Sequence, residues 1–137
     1  METGAARAVF GEVKVVRADS PETPAPHAET TIFIGPDEPA FDGHYPGFPI
    51  LPGVCLIECV HRSALATFPA VAGDATAAPR LSTVETARFL DPVFPGETVM
   101  ISLTWAAVED GWRCRGVVRN PRGDSARIRL RYVIGER

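Results

Sequence analysis

Residues 54–68 read VCLIECVHRSALATF and contain neither glycine nor proline. Apolar side chains recur in this stretch at helical spacing, which predicts a single helix. Pro52 and Gly53 mark its start, and Pro69 is expected to end it. Because the segment is apolar nearly all round, it predicts a buried central helix and not a surface one.

The rest of the chain predicts strands on both sides of this helix. Alternating or β-branched runs predict two strands before it and four after it. The predicted ranges are 11–19, 29–34, 80–90, 98–110, 112–120 and 124–133. One apolar helix among antiparallel strands predicts an α+β fold in which the sheet wraps the helix. Since one sheet covers only part of such a helix, we expect a dimer.

Length and composition limit the function classes. The 137 residues predict one domain over 1–137, with a loose start over residues 1–10. The net charge of −3 gives no reason to expect nucleic acid. No apolar run is expected to span a membrane, and the N-terminus lacks the apolar region of a signal peptide. Three cysteines, an odd number in no metal-like pattern, are typical of a cytoplasmic protein with reduced thiols.

The loop before the helix, FDGHYPGFPILPG over 41–53, combines stiffness with one histidine. Its three prolines each fix φ, and its three glycines permit close approach or unusual φ. A loop with one fixed shape is a common carrier of function, which makes His44 a candidate general base. The alternative is a rigid connector whose histidine is incidental.

Glu58 is a carboxylate inside the apolar helix. Burial penalises its charge and raises its pKa, which suits a general acid. Two other interpretations stay open on the residues alone. Arg62, four residues on, could satisfy a core glutamate. Glu58 and His61 could form half of a metal site, although no second such motif is present.

Gly53 supplies a third group at the start of the helix. Backbone N–H groups there lack partners, and the helix dipole is positive. An N–H group at this point can stabilise an enolate-like oxyanion, and the missing Cβ lets a substrate come close. A base, an acid and an oxyanion donor are what α-proton abstraction with β-elimination needs.

Two motifs carry a resemblance to a known family. GHYPGFPILPGVCLIE (43–58) resembles the signature of the FabZ type of hot-dog fold 3-hydroxyacyl-acyl-carrier-protein dehydratases, including the spacing from His44 to Glu58. ARFLDPVFPGE (87–97) is similar to a second family segment. The resemblance covers roughly residues 29–133.

The resemblance implies a hot-dog fold and a homodimer that shares its active sites. His44 would be the base, Glu58 of the partner subunit the acid, and Gly53 the donor to the thioester oxygen. The product would be a trans-2-enoyl thioester on acyl carrier protein, made without metal or cofactor. The residues expected to contact substrate or carrier beside these three are Tyr45, Pro52, Val54 and Arg62.

The sequence departs from the family pattern at three places. Arg62 stands where the family has Gln, Tyr45 replaces Phe, and SPETPAPHAE (20–29) replaces the usual N-terminal stretch. These changes indicate a specialised relative, for example in polyketide metabolism, and leave dimer, hexamer and heterodimer open. We expect Arg62 to point away from the site or to pair with an acid other than Glu58, so that Arg62→Gln preserves activity.

Two rival functions use the same fold. One is a hot-dog thioesterase, and the other is a non-catalytic partner subunit of a heterodimeric dehydratase. A possible carrier surface also follows from the last strands, where arginines alternate with apolar residues. These candidates for docking acyl carrier protein are Arg127, Arg129 and Arg131, with Arg113, Arg115 and Arg119 on the strand before. A solvated face, or ion pairs across an oligomer interface, would explain the same pattern.

Overall fold

The computed structural model describes residues 9–41, 49–73 and 79–134. It contains six strands and one long helix, in the predicted order of two strands, helix and four strands. The elements are β1 (Lys14–Ala18), β2 (His27–Phe33), α1 (Gly53–Ala72), β3 (Pro79–Phe89), β4 (Thr98–Val108), β5 (Gly111–Asn120) and β6 (Gly123–Ile134), with a 3₁₀ turn at Pro39–Phe41. The strands form one antiparallel sheet in the order β1-β2-β4-β5-β6-β3. The predicted α+β fold is confirmed.

The helix packs on one face of the sheet. Along β6 the apolar residues predicted to alternate with arginines are buried, from Ala126 to Tyr132. Gly116 of β5 lets the helix come close, since a Cβ there would lie 2.7 Å from Cγ1 of Val60. Phe68 closes the far end of the core against Trp105, with ring centroids 5.4 Å apart. The sheet therefore fixes one face of α1 along its whole length.

The prediction that Pro69 ends the helix is wrong. The helix continues to Ala72 and ends at Gly73, whose left-handed φ of 71° suits glycine. Its N–H group donates to the carbonyl oxygen of Pro69 at 3.0 Å. Pro69 is exposed, whereas Val71 beyond it is fully buried. Burial of Val71 offsets the one helical hydrogen bond that proline cannot make.

The expectation that no segment could span a membrane also needs correction. Residues 53–72 form a helix of 20 residues that is long and apolar enough by length and composition. Half of the apolar window is buried inside the fold. Because that half packs on the sheet, α1 is placed as the core helix of this domain.

Candidate active site

Among the residues that the structure describes, no side chain caps the start of α1. Its N-cap residue is Pro52, in extended conformation, which makes no side-chain cap hydrogen bond. The first turn also contains no acidic residue that would neutralise the positive end of the helix dipole. Gly53 is the first helical residue, so its N–H group lacks an intrahelical acceptor. This helix end can therefore donate to an oxygen that gains negative charge.

The turn after β3 holds this helix start in place. The N–H group of Leu51 donates to the carbonyl oxygen of Val93 at 2.9 Å. Asn120 holds this turn, since its Nδ2 donates to Asp91 Oδ2 at 2.7 Å and to the carbonyl oxygen of Pro92 at 3.0 Å. The turn at residues 91–93, part of the second sequence motif, therefore holds residues 51–53 of the first motif in place.

Arg122 adds further contacts that hold the same turn. Its guanidinium binds Asp91 and Glu97 and lies 4.9 Å from the centroid of the Phe94 ring. Hydrogen bonds from Arg122 hold the pKa of both carboxyl groups below their usual values. The sequence reasoning missed Arg122 and Asn120. Both lie in the hairpin turn between β5 and β6, and only the fold brings that turn to residues 91–97.

Phe89 lies directly against Gly53. A Cβ on Gly53 would meet the end of the Phe89 ring at 2.9 Å from Cζ, 3.0 Å from Cε1 and 3.1 Å from Cε2. Real side chains do not tolerate such contacts without a shift. The missing Cβ was expected to admit a substrate, and the structure gives it a second reason, which is the close approach of this aromatic ring.

Glu58 is half-buried on α1, five residues after Gly53. Burial raises the pKa of the Cys55 thiol to about 11, and the charge of Glu58 contributes a smaller part of this rise. His61 faces the sheet, where its Nδ1 lies 2.8 Å from the hydroxyl oxygen of Tyr132 and its ring stacks on the tyrosine ring. Burial lowers the pKa of His61, and the charge of Glu58 opposes that shift. The bond to Tyr132 argues against a metal half-site with Glu58, and the described ranges hold no cluster of three potential metal-ligating side chains.

The other predicted residues have different placements. His44 and Tyr45 lie outside the described residues, so their roles stay predictions. Pro52 and Val54 flank Gly53, and the Val54 side chain is 68% exposed at the helix start. Pro52, Gly53 and Val54 therefore come together at one point, five residues before Glu58.

Arg62 is bonded to the backbone, and its contact with substrate or carrier stays a prediction. Its guanidinium donates to the carbonyl oxygens of Val9 and Gly11, each at 2.8 Å. Glu38, only 4% exposed, accepts the N–H groups of Phe10 and Gly11 at 2.7 and 2.9 Å. Val9 is fully buried, although residues 1–10 were expected to be loose. Two charged side chains thus hold segment 9–11 against the helix.

We expect Arg62→Gln to lower the free energy of unfolding by about 1–3 kcal/mol and to leave catalytic turnover unchanged. Two charge-assisted hydrogen bonds to carbonyls are lost, and glutamine is too short to replace both. Urea unfolding followed by circular dichroism measures the change. Arg80→Gln is the matched control, because Arg80 is exposed on β3. Abolished turnover with unchanged stability would contradict the tether and give Arg62 a role in the site.

The strand arginines lie on the face of the sheet opposite to α1. Arg127, Arg129 and Arg131 alternate with the buried residues of β6, and Arg115 pairs directly across from Arg129. The carboxylates that bind these strand arginines are Glu85 for Arg113 and Arg129, Asp110 for Arg131, and Asp124 for Arg119 and Arg127. Within the described part of the chain, Arg115 has no acidic partner. The six arginines therefore exceed their three carboxylates.

Sequence comparison identifies the family of this chain. A profile described as ApeI-like, ApeI dehydratase, matches residues 20–117. The chain belongs to the ApeI-like dehydratase family. The FabZ-type resemblance agrees, since the 3-hydroxyacyl-acyl-carrier-protein dehydratase FabZ of Symbiobacterium thermophilum is 35% identical over 81 residues. That match covers 57% of this chain and 55% of the relative, and the chain spans about half the length of the curated relatives it matches.

Solved structures show the hot-dog fold for this ApeI-like chain. The dehydratase heterocomplex ApeI:P from Xenorhabdus doucetiae aligns with a TM-score of 0.63 at 20% identity, over 89% of this chain and 98% of that one. A hypothetical thioesterase with coenzyme A from Streptococcus pneumoniae aligns with a TM-score of 0.69 at 10% identity, over 95% and 90%. At these identities the alignments support the fold alone.

Proposed function

We propose that this ApeI-like protein dehydrates (3R)-3-hydroxyacyl thioesters of acyl carrier protein to trans-2-enoyl thioesters in the cytoplasm, in fatty-acid or polyketide-type biosynthesis. His44 removes the C2 proton, the Gly53 N–H group stabilises the enolate oxygen, and Glu58 of the partner subunit protonates the leaving hydroxyl. The C3 hydroxyl leaves as water with the proton from Glu58, His44 keeps the proton from C2, and proton exchange with solvent resets both groups. The step therefore balances without metal or cofactor.

The observation that carries this proposal is the uncapped start of α1. A helix end with a proline N-cap, no acidic side chain in its first turn and glycine at its first position suits a developing oxyanion. Phe89 and Val54 border this end with apolar side chains. A substrate or second protomer that covers them would exclude water, and such a donor is then more effective than in water. The acid of the same site is Glu58 of the partner subunit, a position that is half-buried on α1.

The direct test uses small substrates. The purified protein is incubated with 3-hydroxyacyl and trans-2-enoyl pantetheine thioesters, and the two species are separated by chromatography. We expect interconversion in both directions. Release of free thiol without enoyl product would favour the thioesterase. Silence of the chain alone that is reversed by a co-encoded homologue would favour the partner-subunit alternative, which the heterocomplex of the Xenorhabdus doucetiae relative makes worth testing.

We propose that the protein is a dimer, because two of its surfaces call for a cover. The face of α1 opposite to the sheet exposes Val54 and Leu65. β3 lies at the edge of the sheet and pairs only with β6 in the described chain, while Leu81 and Val84 on it are about two-fifths exposed. An exposed edge strand with apolar side chains pairs readily with another strand. A second copy or a homologue fits both surfaces.

Light scattering is expected to give a dimer or a larger assembly, and Val84→Lys is expected to give a monomer. A charge in the centre of an edge strand opposes pairing with a second edge. Val15→Lys is the matched control, since Val15 is a similarly exposed valine on β1 at the other edge of the sheet. A folded, active wild-type monomer at low concentration would contradict the proposal.

We further propose that the strand arginines attract acyl carrier protein, whose recognition helix is typically acidic. Excess positive charge on a chain of net charge −3 is a local feature that steers an acidic partner. The ion pairs of Arg127, Arg129 and Arg131 reduce their share of this charge, so Arg115 contributes most. Because the patch lies on the face opposite to α1, the carrier's arm would have to reach around the sheet edge.

Reversal of Arg115 and Arg127 to glutamate is expected to raise KM for carrier-bound substrate by about tenfold and leave turnover of a pantetheine thioester intact. Steering by exposed charge acts on association and not on chemistry. Added salt should produce the same selective rise in the wild type. Arg17→Glu on the distant strand β1 is the control. An equal loss on both substrates would show a structural role for the patch, and no loss on either would show that it is idle.

A further inference from the structure

The Phe89 ring occupies the space beside the proposed oxyanion donor. Its distal carbons lie about 3 Å from the point where a Gly53 Cβ would stand. The side chain is 50% exposed, so it is not explained as a core residue. A half-exposed aromatic ring against a helix start is therefore available to contact a bound ligand.

The backbone that carries this ring is fixed by both of its neighbours in the fold. Phe89 pairs with Ala126 at the end of β3, and the next N–H group, that of Leu90, donates to the carbonyl oxygen of Ser125 at 2.8 Å. The helix start is joined to the same turn through Leu51 and Val93. Strand end and helix start are thus held together, and the ring has little room to withdraw by movement of the backbone.

Resting on the proposed function, we propose that Phe89 sets the substrate class by excluding substituents from C2 of the acyl group. A thioester oxygen bonded to the Gly53 N–H group would stand about 2.9 Å from that nitrogen. C2 is two bonds from this oxygen, so C2 and the Phe89 ring both lie beside the first residue of the helix. The ring packs on C2 when its substituents are hydrogen atoms.

A methyl group on C2 would compete with the ring for this space. The enolate is planar at C2 once the C2 proton has left. A methyl group on C2 therefore lies in that plane and cannot turn out of it. The backbone that carries the ring is held, so the half-exposed ring yields to an added methyl group only by turning about its own side-chain bonds, which costs free energy. The substrates of this protein are therefore 3-hydroxyacyl thioesters without a branch at C2.

A competition experiment tests this specificity. Equal amounts of a 3-hydroxyacyl pantetheine thioester and its 2-methyl analogue, of one chain length, are incubated together and the two enoyl products are quantified by mass spectrometry. The wild type is expected to favour the unbranched substrate by at least about tenfold. Phe89→Ala is expected to reduce that preference by about tenfold through faster turnover of the branched substrate, and Phe89→Leu should fall between. Leu90→Ala, the neighbouring exposed apolar residue, is the control and should keep the wild-type ratio.

Each result decides the matter. Equal wild-type use of both substrates, or an unchanged ratio in Phe89→Ala, would overturn the role of Phe89 while the dehydratase function stands. Wild-type turnover of neither substrate would contradict the proposed function, and the inference would fall with it. Circular dichroism of the folded variants separates a changed preference from a loss of fold, and Phe89→Leu gives a second reading if the alanine variant does not fold.

Discussion

Replacing His44 with alanine is expected to lower kcat/KM for dehydration by about 100- to 10,000-fold. Loss of a general base that removes the C2 proton removes a contribution of that size. The same variant should bind substrate with little change, because the imidazole acts on the proton and not on the acyl chain. The assay follows the enoyl product, with binding measured separately by calorimetry.

His27→Ala is the matched control for this change. His27 lies on β2, where its Nε2 is 3.1 Å from Thr104 Oγ1, away from the start of α1. We expect the control to dehydrate at the wild-type rate. Wild-type activity in His44→Ala would sink the proposed mechanism, and equal losses in both histidine variants would point to folding instead of catalysis.

Replacing Gly53 with alanine is expected to lower kcat/KM by about 100-fold and the free energy of unfolding by about 1–3 kcal/mol. The new methyl group would collide with the Phe89 ring at 2.9 Å, so either the ring or the helix start must move. Displacement of one oxyanion donor carries a loss of this order. Steady-state kinetics and urea unfolding measure the two effects.

The double variant Gly53→Ala with Phe89→Ala separates the two reasons for glycine. If the ring is the cause, the stability loss disappears in the Phe89→Ala background and most of the activity loss disappears with it. This comparison is a double-mutant cycle, in which contacting residues show a large interaction energy. An equal loss of activity in both backgrounds would contradict this account and show that the substrate itself needs the open space at Gly53.

The fold could be predicted from sequence because its signals are local. The apolar period of residues 54–68 predicts the helix that the structure shows, and the alternation along β6 predicts which of its residues are buried. The end of the helix could not be predicted from sequence, because burial of Val71 against the core is a tertiary effect that outweighs the proline signal. The order of strands that places β3 at the edge is likewise absent from any local pattern.

The candidate site could be predicted only in part. Gly53 and Glu58 follow from their positions on one helix, which the sequence shows. The approach of Phe89 to Gly53 and the tether of Arg62 to segment 9–11 join residues 36 and about 50 positions apart, and no spacing rule indicates them. The prediction for Arg62 offered two placements, away from the site or paired with an acid other than Glu58. The fold instead provides two backbone carbonyl oxygens, those of Val9 and Gly11.

The most direct test of the dehydratase proposal is the intact mass of an acyl carrier protein loaded with a 3-hydroxyacyl group, before and after incubation with this protein. We predict a carrier lighter by the mass of one water, with the acyl group still attached. Loss of the whole acyl group, which leaves the free pantetheine thiol, would contradict dehydration and establish a thioesterase. An unchanged mass with every chain length tried, with and without a co-encoded homologue, would contradict the proposed function altogether.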